Sequence, residues 1–252
     1  MLKSPHLEKS DIDHFQECGF VALKNGFSPA DAKAIQDWAT ELAARPEAPG
    51  AHWVYHEESQ LETGVQLINR IENMTPYHAG LAELADVLIP GVGQLLGEDA
   101  VLFKDKINFK MPGGDGFEPH QDSQAGWEAY ADYFINVMVC IDAATLENGC
   151  LQLARRDGTE LVGREWEPLS EAQTAAMNFE PYPTDPGDVI YFDSYAPHMS
   201  APNSSPNIRR LYFATYNKKS EGDHLASYYV DKRQSYPPDI ERQAGKSYVY
   251  RV

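Results

Sequence analysis

Residues 133–142 read Y-F-I-N-V-M-V-C-I-D. In an extended chain alternate residues face opposite ways, and here both sets are apolar apart from Asn136 and the terminal Asp142. A strand of that kind belongs in the middle of a sheet covered on both sides. Around it the sequence keeps to short extended runs. V-L-F-K-D-K-I-N-F-K (101–110) alternates, with Val101, Phe103, Ile107 and Phe109 on one face and Lys104, Lys106, Asn108 and Lys110 on the other. P-G-D-V-I-Y-F-D (186–193) and R-R-L-Y-F-A-T-Y-N (209–217) are further strands, and E-N-G-C (147–150) is a turn. Short strands separated by Gly, Pro and Asn turns indicate a sandwich or barrel.

The first third has a different grammar. Ser28-Pro29 followed by A-D-A-K-A-I-Q-D-W-A-T-E-L-A-A combines an N-cap serine, proline at the first helical position and an early acid, with Ile35, Trp38 and Leu42 on one stripe. Thr75-Pro76 is expected to open a second helix that buries Leu81, Leu84 and Leu88 and stops at Pro90-Gly91. The expectation is one domain over 1–252: a helical part to about 98, a strand core from about 99 to about 220, and an irregular surface tail at Y-P-P-D-I-E-R-Q.

Composition limits the function. Apolar residues make up 42% of the chain, enough for a packed core. Lys and Arg number 21 against 38 Asp and Glu, a net charge of −17 that argues against nucleic acid and against an anionic membrane surface. Cys18, Cys140 and Cys150 form no CxxC pair, which fits reduced thiols. The N-terminal M-L-K-S-P-H-L-E-K-S-D has no apolar signal region, and no uncharged apolar run approaches the roughly 20 residues of a membrane span. A cytoplasmic protein acting on a small molecule is expected; the oligomeric state is left open.

F-E-P-H-Q-D-S-Q-A-G-W-E (117–128) carries the chemistry. Residues i and i+2 of an extended chain point the same way, so His120 and Asp122 can bind one ion while Gln121 turns elsewhere. One imidazole and one carboxylate are two ligands of a facial triad, which leaves open positions on Fe(II). His198, just after a strong strand in D-S-Y-A-P-H-M-S, is the best third ligand. Arg209 returns eleven positions later and could grip a carboxylate bidentately, with Ser200 on the same face as His198. The bland alternatives stand beside this: a loop histidine bonded to an acid, an ordinary ion-paired Arg209, an Arg70 paired to Glu72, and solvated Lys106 and Lys110. Trp127, Tyr130 and Tyr133, with Asp132, could hold an ammonium group by cation–π attraction or could be core or lid packing. The stretch E-E-S-Q-L-E-T-G (57–64) reads as a lid or as an exposed acidic loop.

With H-Q-D at 120–122, H-M-S at 198–200, Arg209 and N-G-C-L at 148–151, the sequence resembles the phytanoyl-CoA dioxygenase family of Fe(II)/2-oxoglutarate oxygenases. The resemblance implies a double-stranded β-helix, of jelly-roll or cupin-like form, with N-terminal helices. It implies Fe(II) on His120, Asp122 and His198, with 2-oxoglutarate and O₂ as cosubstrates. Arg209 and Ser200 would hold the distal carboxylate of 2-oxoglutarate, and Asn108 and Gln121 are further cofactor-side candidates. Asp122 as a ligand favours hydroxylation over halogenation. L-I-N-R-I-E-N (67–73), the H-Q-D-S-Q-A-G-W run and the tail D-K-R-Q-S-Y-P-P-D-I-E-R are most similar to bacterial aminoalkylphosphonate hydroxylases. That implies hydroxylation of the carbon next to phosphorus in 2-aminoethylphosphonate or its N-methylated forms. Arg70, Asn73 or a lysine are then candidates for the phosphonate, with Arg70 also standing nearest to the family's cosubstrate-placing lysine, and Trp127, Tyr130, Tyr133 and Asp132 are candidates for the ammonium. Alternatives are another small amine, amino acid or acid as substrate, or a metal-binding cupin-like barrel without oxygenase activity.

Overall fold

The computed structural model describes residues 1–248. In chain order the elements are α1 (Lys9–Cys18), β1 (Phe20–Leu23), α2 (Pro29–Ala43), β2 (Trp53–Glu58), β3 (Gln66–Glu72), α3 (Ala79–Leu96), β4 (Ala100–Lys110), β5 (Phe117–His120), β6 (Phe134–Cys140), β7 (Leu151–Leu153), α4 (Glu171–Ala175), β8 (Glu180–Tyr182), β9 (Val189–Asp193), β10 (His198–Ser200), β11 (Arg209–Lys218) and α5 (Leu225–Ser235). A seven-stranded sheet has the order β1-β9-β6-β11-β4-β3-β2, and a four-stranded sheet has the order β5-β10-β7-β8. Every named pair is antiparallel. The two sheets face each other as a jelly roll, with β4-β11-β6-β9 opposite β5-β10-β7-β8.

The central run behaves as its composition demands. Ile135, Val137 and Val139 of β6 face outward into a core shared with α1, α2 and α3, whereas Met138 and Cys140 face inward toward Leu151 and Leu153 of the small sheet. Leu81, Leu84 and Leu88 of α3 are fully buried in the outer core, each worth about 1.5–3 kcal/mol. A third cluster, mostly aromatic, joins Trp53, Tyr55, Phe103, Trp127 and Phe134 to Tyr228 and Tyr229 of α5. Phe103 reaches it because the β4–β11 register slips between Thr215 and Tyr216, a bulge that turns this residue away from the Ile107 face.

Several expectations need correction. The first third is not only helical: β1, β2 and β3 lie in it and extend the large sheet, so the division at about 98 does not mark where strands begin. α3 starts at Ala79, capped by His78 Nδ1 accepting from the Leu81 amide at 3.2 Å, not at Thr75-Pro76. It also runs through Pro90 to Leu96 and ends at Gly97, whose φ of 76° provides the left-handed stop. Gly91 lies inside the helix, where a Cβ would fall 2.8 Å from Tyr191 Oη. By length and composition α3 could cross a membrane, but it packs on β4, β6 and β11. The tail is not merely surface-lying: Tyr236 stacks on Tyr55 at 5.4 Å, Pro237 and Pro238 are buried, and Asp239 accepts from the His56 amide at 2.6 Å. All three cysteines are free and buried.

Candidate metal centre and its two cavities

His120 ends β5 and His198 begins β10, and the two are register partners, so antiparallel pairing brings their rings to 4.2 Å between centroids. Gln121 is extended (φ −112°, ψ 134°), which returns Asp122 to the side of His120. Nε2 of His120 lies 3.8 Å from Asp122 Oδ1, and Nε2 of His198 lies 3.8 Å from Oδ2. Both separations fall inside the about 4.2 Å that two metal bonds of about 2.1 Å can span. One ligand atom from each residue lies within 4.8 Å of the others.

The rings are oriented by their far nitrogens. His120 Nδ1 sits 2.6 Å from the Glu118 carbonyl and His198 Nδ1 sits 3.0 Å from the Ala196 carbonyl. A carbonyl only accepts, so each Nδ1 carries the proton and each Nε2 presents its lone pair to the centre. Burial, reinforced by His198, pulls His120 down to about 3, and burial also lowers His198. Burial alone would raise Asp122, but His198, Lys104, Lys106 and His120 outweigh it and hold the carboxyl at about 2. Two neutral imidazoles and one carboxylate are the donor set of a non-haem Fe(II) site.

Beside the triad, a narrow pocket is lined by Asn108, Asn136, Ser200, Arg209 and Phe213. Arg209 is 1% exposed, and its Nε and Nη2 have no hydrogen-bond partner. Burial draws it down to about 10. Its neighbour Arg210 points to the other face, and each of its three side-chain nitrogens has a partner: Asp142 at 2.6 and 2.9 Å and Thr40 at 2.8 Å. The contrast separates a structural arginine from one aimed into a cavity. Lys110, the register partner of Arg209, donates to Ser200 Oγ at 2.8 Å and to the Ala201 carbonyl. It is 1% exposed, not solvated as expected, and burial together with Arg209 lowers it to about 6. A buried guanidinium and a buried amine beside it fit a carboxylate, and Asn108 Oδ1 and Asn136 Nδ2 are likewise unpartnered in the same pocket. A metal-binding barrel without a cosubstrate would have no use for this arrangement.

Two larger cavities flank the centre. One, of about 370 Å³, is lined by Lys104, Lys106, Lys232, Glu72, Asp231 and aromatic rings. The other, of about 390 Å³, is lined by His120, Arg70, Glu57, Asp115, Glu118 and aromatic rings. Glu72 pairs with Lys232 at 2.5 Å and Arg70 at 2.7 Å. Burial would raise it, but Lys232, Arg70 and Lys104 hold it at about 2. Lys104 lies 4.0 Å above the Trp127 ring, and burial, with Lys106 beside it, pulls it well below the ordinary lysine value.

The substrate-side candidates divide. Trp127 and Tyr130 line the lysine cavity, with Tyr130 Oη donating to Asp231 at 2.7 Å, and Arg70 lines the other while bound to Glu72. Tyr133 does not join them, because its hydroxyl donates to Asp193 at 2.9 Å. Asp132 is exposed and lines a separate surface pocket. Asn73 is a left-handed turn residue (φ 55°) whose amide donates to Tyr229 Oη, and it lines neither cavity. Gln121 turns away from the cofactor pocket and donates to the Glu160 and Tyr195 carbonyls at 3.1 and 2.7 Å. The Arg70–Glu72 pair is the one the sequence allows, whereas nothing in the sequence singles out Lys104, Lys232 or Asn136 as site residues, and Lys110 reads there as solvated. The polar face of β4 and the lone asparagine in β6 were the available signals.

Fold and centre together define a mononuclear, facial-triad oxygenase on a jelly roll. The chain belongs to the phytanoyl-CoA dioxygenase family, whose model matches residues 15–211. It is a dioxygenase that uses Fe(II), 2-oxoglutarate and O₂. It is 43% identical over 239 residues to a 2-aminoethylphosphonate dioxygenase of uncultured bacterium HF130_AEPn_1, covering 93% of this chain and 90% of that one. It is 38% identical over 241 residues to a methylphosphonate hydroxylase of Gimesia maris, covering 91% and 88%. Among solved structures, EctD from S. alaskensis with 2-oxoglutarate and 5-hydroxyectoine shares the fold at a TM-score of 0.75 and 22% identity, covering 86% of this chain and 78% of that one.

Proposed function

We propose that the enzyme hydroxylates the carbon next to phosphorus in 2-aminoethylphosphonate or an N-methylated form of it, as a cytoplasmic enzyme with a free small-molecule substrate and no nucleic-acid or membrane partner. The observation that carries this is the lysine cavity. Lys104, Lys106 and Lys232 face it against Glu72 and Asp231, in a chain of net charge −17. A concentration of cations against the overall charge supports an anionic substrate group. The two phosphonate-acting relatives support the same chemistry.

In this reading His120, Asp122 and His198 hold Fe(II). Arg209 and Lys110 hold the distal carboxylate of 2-oxoglutarate, Ser200 contributes its hydroxyl, and Asn108 and Asn136 meet the cosubstrate nearer the metal. When bound, the iron and its cosubstrate supply the oxidising power that replaces a C–H bond with C–OH. The protein supplies placement. The Glu118 and Ala196 carbonyls hold both imidazoles with Nε2 forward. Lys104 and Lys106 keep Asp122 ionised and anchor the phosphonate. The Trp127, Phe103 and Tyr228 rings exclude water from that end.

The test is incubation with Fe(II), 2-oxoglutarate, O₂ and each aminoethylphosphonate, read by mass spectrometry. A gain of one oxygen with matching succinate is expected. No gain with any of them, alongside turnover of some other amine or acid, removes the substrate assignment.

A further inference from the structure

Trp166 lines both the lysine cavity and its acidic neighbour. Its φ of 66° is a left-handed conformation that a bulky side chain rarely adopts. Strain of this kind persists only where the surroundings impose it, and it concentrates at functional positions. Here the surroundings are specific. The Trp166 amide donates to the Gln124 carbonyl at 2.8 Å, and Gln124 Nε2 donates to the Arg164 and Glu167 carbonyls at 2.7 and 2.6 Å. Gln121 takes the Val162 amide at 2.7 Å and donates to the Glu160 carbonyl. The segment 160–169 is thus fastened on both sides of Asp122 by the glutamines at 121 and 124. Gly126 makes room for the indole, since a Cβ there would fall 2.4 Å from the ring.

Core packing does not account for this, because Trp166 remains 39% exposed. The charges on its two sides differ. One cavity presents Lys104, Lys106 and Lys232 against Glu72 and Asp231; the other presents Glu57, Asp115 and Glu118 against Arg70. A zwitterion spanning them would lay its anionic end on the lysines and its cationic end toward the acids, past the indole. Building on the phosphonate reading, we infer that Trp166 is a specificity-determining residue whose ring receives the substrate's ammonium end by cation–π contact, held in place by Gln121 and Gln124.

The test is calorimetric titration, without O₂, of enzyme loaded with Mn(II) and 2-oxoglutarate. The probes are 2-aminoethylphosphonate, its N,N,N-trimethyl form, and ethylphosphonate, which lacks the cation. Trp166→Leu should weaken the trimethyl form about tenfold and the primary amine about threefold, and leave ethylphosphonate within about twofold. Trp166→Phe should restore most of the loss, and both variants should keep the native oxoglutarate affinity. Equal weakening of all three probes, or of none, overturns the inference while leaving the phosphonate reading intact. Failure of the native enzyme to bind any probe removes the phosphonate reading, and this inference with it.

Discussion

Arg209→Met separates a cosubstrate anchor from a structural residue, because the two roles predict opposite signs. The side chain is 1% exposed, and two of its N–H-bearing atoms lack partners. Each charge-assisted bond to a carboxylate is worth about 1.5–3 kcal/mol, so two give about 3–6 kcal/mol. Lys110, its register partner, stays behind and offsets part of that. A net loss of about 3–4 kcal/mol is a drop of roughly two to three decades in 2-oxoglutarate affinity. Without 2-oxoglutarate the same substitution should stabilise the fold, since it removes a buried cation already drawn down to about 10. A gain of about 1 kcal/mol would raise Tm by about 2–4 °C. The assay pairs oxoglutarate titration of the Mn(II) form, without O₂, with thermal melts of the ligand-free protein. A lower Tm with unchanged oxoglutarate affinity would refute the reasoning.

Glu72→Gln should destabilise the fold by about 3–5 kcal/mol, because it leaves Arg70, Lys232 and Lys104 without their shared anion. Glu72 is held at about 2, below its usual 4.5, so its contribution is complete above about pH 4.5 and drains away as pH falls toward 2. The variant should therefore lose that part of the acid slope in denaturation profiles, and an acid limb identical to the native one would contradict the network. Gln124→Ala removes bonds to the Arg164 and Glu167 carbonyls and to the Gln121 amide. It should cost about 2–3 kcal/mol and open the 160–169 segment to limited proteolysis; a native digestion pattern would show that the segment is held by something else.

The triad was legible because its signals are local: an i, i+2 pair and a histidine closing a strong strand. What escaped depended on tertiary pairing. β2 and β3 carry mixed polar sequences, W-V-Y-H-E-E and Q-L-I-N-R-I-E, that become strands only by joining the edge beside β4. The Ser-Pro and Thr-Pro signals pulled the reading of this region toward helix. The first marks a real N-terminus, Ser28 accepting from the Asp31 amide at 3.2 Å, and the second does not. Pro90 was read as a stop, yet packing against the sheet outweighs the one amide it forfeits. Lys110 looked solvated because lysine usually is, and nothing singled out Lys104 from its polar face. Only the facing sheet and α5 bury them. Asp132 and Tyr133 adjoin the right segment but point out of it, a matter of turn geometry that composition does not carry.

Strand β4 acts as a graduated rule for the chamber. Side chains of one face recur at about 6.6–6.8 Å along a strand, and Lys104, Lys106, Asn108 and Lys110 mark successive graduations on this one. On the proposed assignment of substrate and cosubstrate, the polypeptide's own repeat sets how far apart the reactants' ends can lie. A change at position 104 would retune the outer end for a longer or shorter molecule without moving the mark at 110, whereas a single inserted residue between them would turn the scale over.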